Sequence, residues 1–399
     1  MAPGGATPDR VYADYGGFAP VDPRVLAVMR PFLEGGIGNP SAPHSLGAEA
    51  RESLDAARVK VGRLIGGGAA GVVFTSGATE ANNLAIKGIA LRGRQGAPHV
   101  VVSSIEHVSV LHACREVERQ GGAVTLLPVD AAGLVDPARL ASALRAETVL
   151  VSIGAANEEI GTVQPVAALA RVARAAGVPV HVDGVGAVGR MPLGVDALGI
   201  DLLTVSGNDI YGPPGVGALW VRPGLELAAQ VVGGGQEMGH RSGTESVPSL
   251  VGLGVAAHLM RVEAAHGEPA RLSGLRDRLL DGVLAGVPEC RLTGSRSARV
   301  PHHVSLAVRG ATAKALLSEL DGAGVAASTG SSCSRLSGSP SHVLQAIGCS
   351  AAEVGCALTL TLGRWTTPAE VDAILERLPA VVARVRAHSG TGRSSPRAE

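Results

Sequence analysis

The chain has 399 residues, 46% hydrophobic and 18% charged, enough apolar material for a large core and two or three ordinary domains, which excludes a fibrous or wholly disordered chain. Its 35 basic and 35 acidic residues balance to a formal net charge of +0, so no global field draws nucleic acid or an anionic membrane. A small molecule or another protein is the expected partner, and without a basic-then-apolar leader or a bilayer-length apolar run the chain reads as cytoplasmic.

Residues 1–9 and 389–399 are rich in Gly, Ser and Pro, lack apolar periodicity and read as mobile tails. Between them, β-branched runs at 72–74, 100–103, 124–127, 149–153, 178–183, 202–206 and 218–221 alternate with helical patterns near 46–64, 79–92, 108–120 and 165–176. That alternation predicts a large α/β domain over 10–262, a mostly parallel sheet with helices on both faces. After about residue 262 the rhythm changes to a long helix, a strand-like 303–308 and a final helix from Pro368, predicting a smaller C-terminal α+β domain over 263–388.

Several stretches carry chemistry. Phe74-Thr75-Ser76-Gly77-Ala78-Thr79-Glu80-Ala81-Asn82-Asn83 puts a glycine and hydroxyls between a strand and a helix start, where free amides and the helix dipole form an anion site, or where Ser and Thr simply cap. Glu106-His107 and Val180-His181-Val182-Asp183 each close a strand. Ser206-Gly207-Asn208-Asp209-Ile210-Tyr211-Gly212-Pro213-Pro214-Gly215-Val216-Gly217 is a tight, glycine-rich connection between two buried runs. Gly233 to Gln236 leads into Arg241-Ser242-Gly243-Thr244, and Cys333 sits among small residues from Ser328 to Ser334. The five cysteines show no CxxC pair and no metal-ligand spacing, as expected of reduced thiols. Lys60, Lys87 and Lys314 are the only lysines, each in a helical pattern where a solvated face is the simpler reading.

In this order and spacing the segments closely resemble cysteine desulfurases of the class V aminotransferase family. The resemblance runs from Tyr12 past Gly363-Arg364 and implies the fold-type I architecture of pyridoxal-phosphate (PLP) transferases, with a seven-stranded sheet, a small C-terminal domain and a dimer. It assigns cofactor phosphate contact to Ala78 and Thr79, ring stacking to His107, pyridinium pairing to Asp183 and a further cofactor contact to Ser206. It gives Arg241 and Thr244 to the partner subunit's phosphate and the persulfide-carrying thiol to Cys333, on a loop suited to an accessible thiolate.

The same resemblance marks departures. Where the family carries the Schiff-base lysine and the preceding histidine, this chain has Asp209 and Asn208; Glu158, Gly186 and Thr359 replace an asparagine, a glutamine and the arginine that holds the substrate carboxylate. Counting each group as ionised, the pocket becomes more negative by about four charges, at roughly 4 kcal/mol per close like-charge pair for an effective dielectric near 20. PLP is then expected to be held without a covalent bond, or not at all. Three functions follow: sulfur transfer through Cys333 or service as a dimer partner, alone or with a lysine-bearing desulfurase; a different reaction in a remodelled acidic pocket containing Asp183, Asp209, Glu158 and His107; and conventional desulfuration, disfavoured because three of its residues are replaced.

Overall fold

The computed structural model describes residues 10–35, 38–92, 96–330 and 339–391. Strand β1 (Val11–Tyr12) precedes helix α1 (Pro23–Glu34), whose first turn is capped by Asp22 accepting from the Arg24 amide, and α2 (Ser45–Leu64). Then come β2 (Val72–Thr75), α3 (Ala78–Ala90), β3 (His99–Ser103), α4 (Val108–Arg119), β4 (Ala123–Leu127), α5 (Pro137–Ala143), β5 (Thr148–Gly154) and α6 (Val166–Ala175). They are followed by β6 (Val180–Asp183), α7 (Val195–Leu198), β7 (Leu202–Ser206), β8 (Gly217–Val221) and α8 (Val247–Ala265). The last third holds α9 (Glu268–Gly286), β9 (Cys290–Leu292), β10 (His303–Val308), α10 (Ala313–Gly322), β11 (Val325–Ala326), β12 (Ala357–Thr361) and a final helix, Pro368–Thr391.

The expected sheet is present, with seven strands in the order β2-β8-β7-β6-β5-β3-β4. Only β8 runs antiparallel, to both of its neighbours. Side-chain alternation sends Val101, Val151, Val182 and Leu203 to one face, where α1, α2, α6 and α8 cover them. Val100, Val102, Leu150 and Leu202 go to the other, under α3 and α4. With both faces covered, the strands are built mainly of apolar residues, and every fully buried Val or Leu contributes about 1.5–3 kcal/mol.

The second unit is a three-stranded antiparallel sheet, β12-β10-β9, packed by α9, α10 and the final helix around Leu279, Leu306, Leu316 and Val382. Strand β1 joins it by pairing parallel with β11, Val11 opposite Val325, so the start of the chain lies in the smaller core. No helix among the described residues is long and apolar enough to cross a membrane.

Candidate functional site

The parallel strands β5, β6 and β7 end along one edge of the sheet, and a cavity of about 270 Å³ opens there, where α/β sheets bind ligands. Gly154 ends β5, Asp183 ends β6 and Asp209 follows β7; all three line the cavity. The smaller unit supplies the opposite wall through Asp14, Ser328, Thr359 and Thr361, which are tied together by the Asp14–Thr361 and Ser328–Thr359 bridges.

Asp209 is fixed by its loop. Asn208–Ile210 forms a single 3-10 turn, and Tyr211 behind it takes φ 62°, a left-handed conformation costing roughly 1–2 kcal/mol for a residue with a side chain. Tyr211 is held there from three directions. Its hydroxyl accepts from the Arg364 amide at 2.8 Å, the Arg364 guanidinium lies 4.4 Å over its ring, and its carbonyl accepts from the Asp22 amide at 2.9 Å. As a result Asp209 is only 8% exposed. Its carboxylate takes a hydrogen bond from Ser206, and its carbonyl accepts from Arg190 Nη2 at 3.1 Å.

His107 begins α4, where its Nδ1 accepts from the Ser109 amide at 3.2 Å and lies 2.8 Å from the Ser109 hydroxyl, which orients the ring at the cavity wall. The Asp183 carboxylate accepts from Asn82 Nδ2 at 2.7 Å and from the Val185 amide at 3.1 Å. Ala78, at the start of α3, also lines the cavity. The anion slot beside it is braced by the chain's own Glu80, whose Oε2 accepts from the Ser76 amide at 2.8 Å and whose Oε1 takes Arg241 Nε at 3.0 Å. The structure thus brings Ala78, His107, Asp183 and Asp209 together around one cavity. Thr79, Ser206, Arg241 and Thr244 lie outside its lining, and Cys333 falls outside the described residues.

Burial foremost, then the charges of Asp209 and Asp183, push the Glu158 carboxyl well above its ordinary range, against a downward pull from Arg190. Burial likewise raises Asp209, opposed by Arg190 and the Ser206 hydroxyl. The count of four extra negative charges is therefore an upper bound, because it treats as fully ionised two buried, mutually repelling carboxyls that hold protons more tightly than they would in water. Glu106 rises to about 8 and Glu159 to about 7, both chiefly through burial. Gly186 explains how Glu158 fits: a Cβ there would stand 2.8 Å from the Ala156 carbonyl oxygen and 3.4 Å from Glu158 Cγ.

Sequence reasoning assigned no role to Arg190, Glu159, Asp14 or the Glu106 carboxyl. Glu106 stood beside His107 in a stretch already singled out, Asp14 lies two residues after the Tyr12 at which the resemblance begins, and Arg190 follows a glycine in a segment with no motif.

A mostly parallel sheet with helices on both faces, and a cavity where its strands end, define an α/β protein of the NifS-like kind. The solved structure of a NifS-like protein superposes with a TM-score of 0.87 and 31% identity, covering 94% of this chain and 100% of that one. Residues 11–374 match the model for aminotransferase class-V, and the chain belongs to that family, among its cysteine desulfurases. Cysteine desulfurase IscS 1 of Archaeoglobus fulgidus is 46% identical over 380 residues, 95% of this chain and 98% of that protein. Cysteine desulfurase IscS of Dictyoglomus turgidum is 40% identical over 376 residues, 94% and 95% of the two chains.

The family's cofactor meets a split site. His107, Asp183 with its Asn82 support, and Ala78 suit a pyridine ring and its phosphate arm, while no lysine lines the cavity among the described residues.

Proposed function

We propose that this chain is a cysteine desulfurase family member in which Asp209 stands where its relatives carry the lysine, that it does not hold PLP covalently, and that it acts in sulfur transfer through Cys333 or as the partner subunit of a lysine-bearing relative. The observation that carries this reading is the buried Asp209 at the cavity wall, with no lysine in that wall among the described residues. The names of the relatives support the sulfur class. Bound non-covalently, PLP supplies an electron-withdrawing ring. This chain's residues would contribute the His107 face, the Asp183 carboxylate and the α3 amides, without an amine to exchange for the substrate's. A cytoplasmic, dimeric protein is part of the proposal.

A second reading, a different reaction in the acidic cavity, draws on Glu106 and Glu159, whose carboxyls titrate near neutrality as general acids and bases must.

The test is absorbance of the purified protein with and without added PLP, followed by borohydride reduction and peptide mass analysis. No pyridoxyl adduct is expected, whereas Asp209→Lys with Asn208→His should acquire one. A stoichiometric adduct on the unsubstituted chain overturns the proposal in favour of conventional desulfuration.

A further inference from the structure

The cavity wall presents the carboxyl groups of Asp14, Glu106, Glu158, Glu159, Asp183 and Asp209 and, among the described residues, no lysine or arginine. Arg190 acts on Glu158 and Asp209 without lining the cavity. An acidic wall alone names no ligand. The second observation is Thr359, which is 2% exposed and lines the cavity while its Oγ1 has no hydrogen-bond partner. Asn208 Oδ1, also at the wall, is a buried acceptor with no donor. Buried polar atoms left unpaired carry a desolvation cost that a ligand's donors remove.

We propose that this cavity binds a small organic ammonium that carries no carboxylate, its charge drawn by Asp209 and Glu158 and its donors satisfying the free oxygens of Asn208 and Thr359. This rests on the preceding proposal only in that no covalent bond keeps PLP in the space, so the ammonium meets the PLP-free protein. A zwitterionic amino acid is disfavoured because its carboxylate would meet Asp14, Glu159 and Asp183 with no lysine or arginine among the described residues of the wall to receive it. At Thr359 a hydroxyl is offered instead, and it accepts an N–H or O–H as readily as it donates.

The protons on the wall give a second signature. On top of burial, the main cause for both groups, Asp209, Asp183 and Glu159 raise the Glu158 carboxyl while Arg190 lowers it, and Asp183 and Arg190 act on Asp209 in the same opposed senses. An ammonium placed among these groups takes over the role of the retained proton, so binding should release protons to the buffer.

The experiment is a binding series that removes one charged group at a time from 2-aminobutyrate, with propylamine lacking the carboxylate and butyrate the ammonium, titrated calorimetrically into the unsubstituted protein in two buffers of different ionisation enthalpy. Propylamine is expected to bind about tenfold or more tightly than 2-aminobutyrate, with proton release, and butyrate to give no signal. The preference should disappear in Asp209→Asn with Glu158→Gln, whose fold is checked by circular dichroism. Equal binding of the amine and the amino acid, no amine binding, or a preference untouched by the substitutions overturns the proposal. If the double variant does not fold, the series on the unsubstituted chain decides. A borohydride adduct would overturn the function proposed above, whereas a flat series in adduct-free protein overturns this inference alone.

Discussion

Glu106 is 4% exposed, and its Oε1 accepts from the Gly154 amide at 2.8 Å. Burial first and the Asp183 charge second raise its carboxyl to about 8, so the folded protein keeps a proton that the unfolded chain, titrating near 4.5, has lost. Stability from such a group is present in full below the unfolded value and falls as pH rises toward the folded one. The buried His181, lowered to about 4 from 6.5 by burial, acts oppositely, as do His99, His302, His303 and His342, adding stability as pH rises through 6.5 and fading over the next unit. Toward pH 8 the carboxyls govern the slope. Urea denaturation should therefore show stability falling as pH approaches 8, by up to about 1.36 kcal/mol per pH unit from the Glu106 proton alone. Glu106→Gln keeps an acceptor for Gly154 and should flatten the slope; an unchanged slope would refute the burial argument. This chemistry was only partly legible in the sequence. The resemblance located Asp183 and Asp209, but burial sets the titration of Glu106 and Glu158, and burial depends on strands brought together from distant parts of the chain.

Helices α2 and α8 pack so closely that a Cβ added at Gly254 would stand 2.6 Å from Ala57 Cα and 2.7 Å from Ala57 Cβ. Alanine is the better helix former by about 1 kcal/mol, yet overpacking typically costs 1–3 kcal/mol, so Gly254→Ala should destabilise. Gly274 in α9 is the control: nothing lies within 4 Å of its added Cβ, and Gly274→Ala should be neutral or stabilising by chemical denaturation. If the two variants behave alike, propensity rather than packing governs these helices. The seven sheet strands were readable because strands covered on both faces carry short consecutive apolar runs, such as Val72-Val73-Phe74 and Val100-Val101-Val102. Helix α8 was not, because buried Leu250, Val251, Gly252, Leu253 and Gly254 are consecutive and so run right round the helix, leaving no single apolar stripe. Strand β1 has two residues and a partner more than three hundred positions away, so no local period marks it.

At the scale of the whole molecule, formal neutrality leaves no long-range repulsion against association. In the segment before α8, Val232 is 81% exposed and Met238 55%, beside the Gly233 to Thr244 stretch that the family resemblance assigns to a neighbouring subunit. Large apolar side chains left in water along one loop are what a subunit contact would cover. A dimer by light scattering at micromolar concentration is the expected outcome, weakened toward monomer by Val232→Asp. The identity of the second subunit turns on an asymmetry. Asn208, Asp209, Glu158 and Gly186 all concern the chain's own cavity, whereas Arg241 and Thr244 keep the residue types expected to serve another's. Within one chain Arg241 is occupied by Glu80, so in a mixed dimer it must exchange that carboxylate for the partner's phosphate, while the exposed Thr244 needs no such exchange. Co-expression with a lysine-bearing desulfurase should yield mixed dimers by native mass measurement, with the partner's activity lowered by Thr244→Ala in this chain and lowered further by Arg241→Ala. Exclusive homodimers, or partner activity indifferent to both substitutions, would leave this chain to work alone.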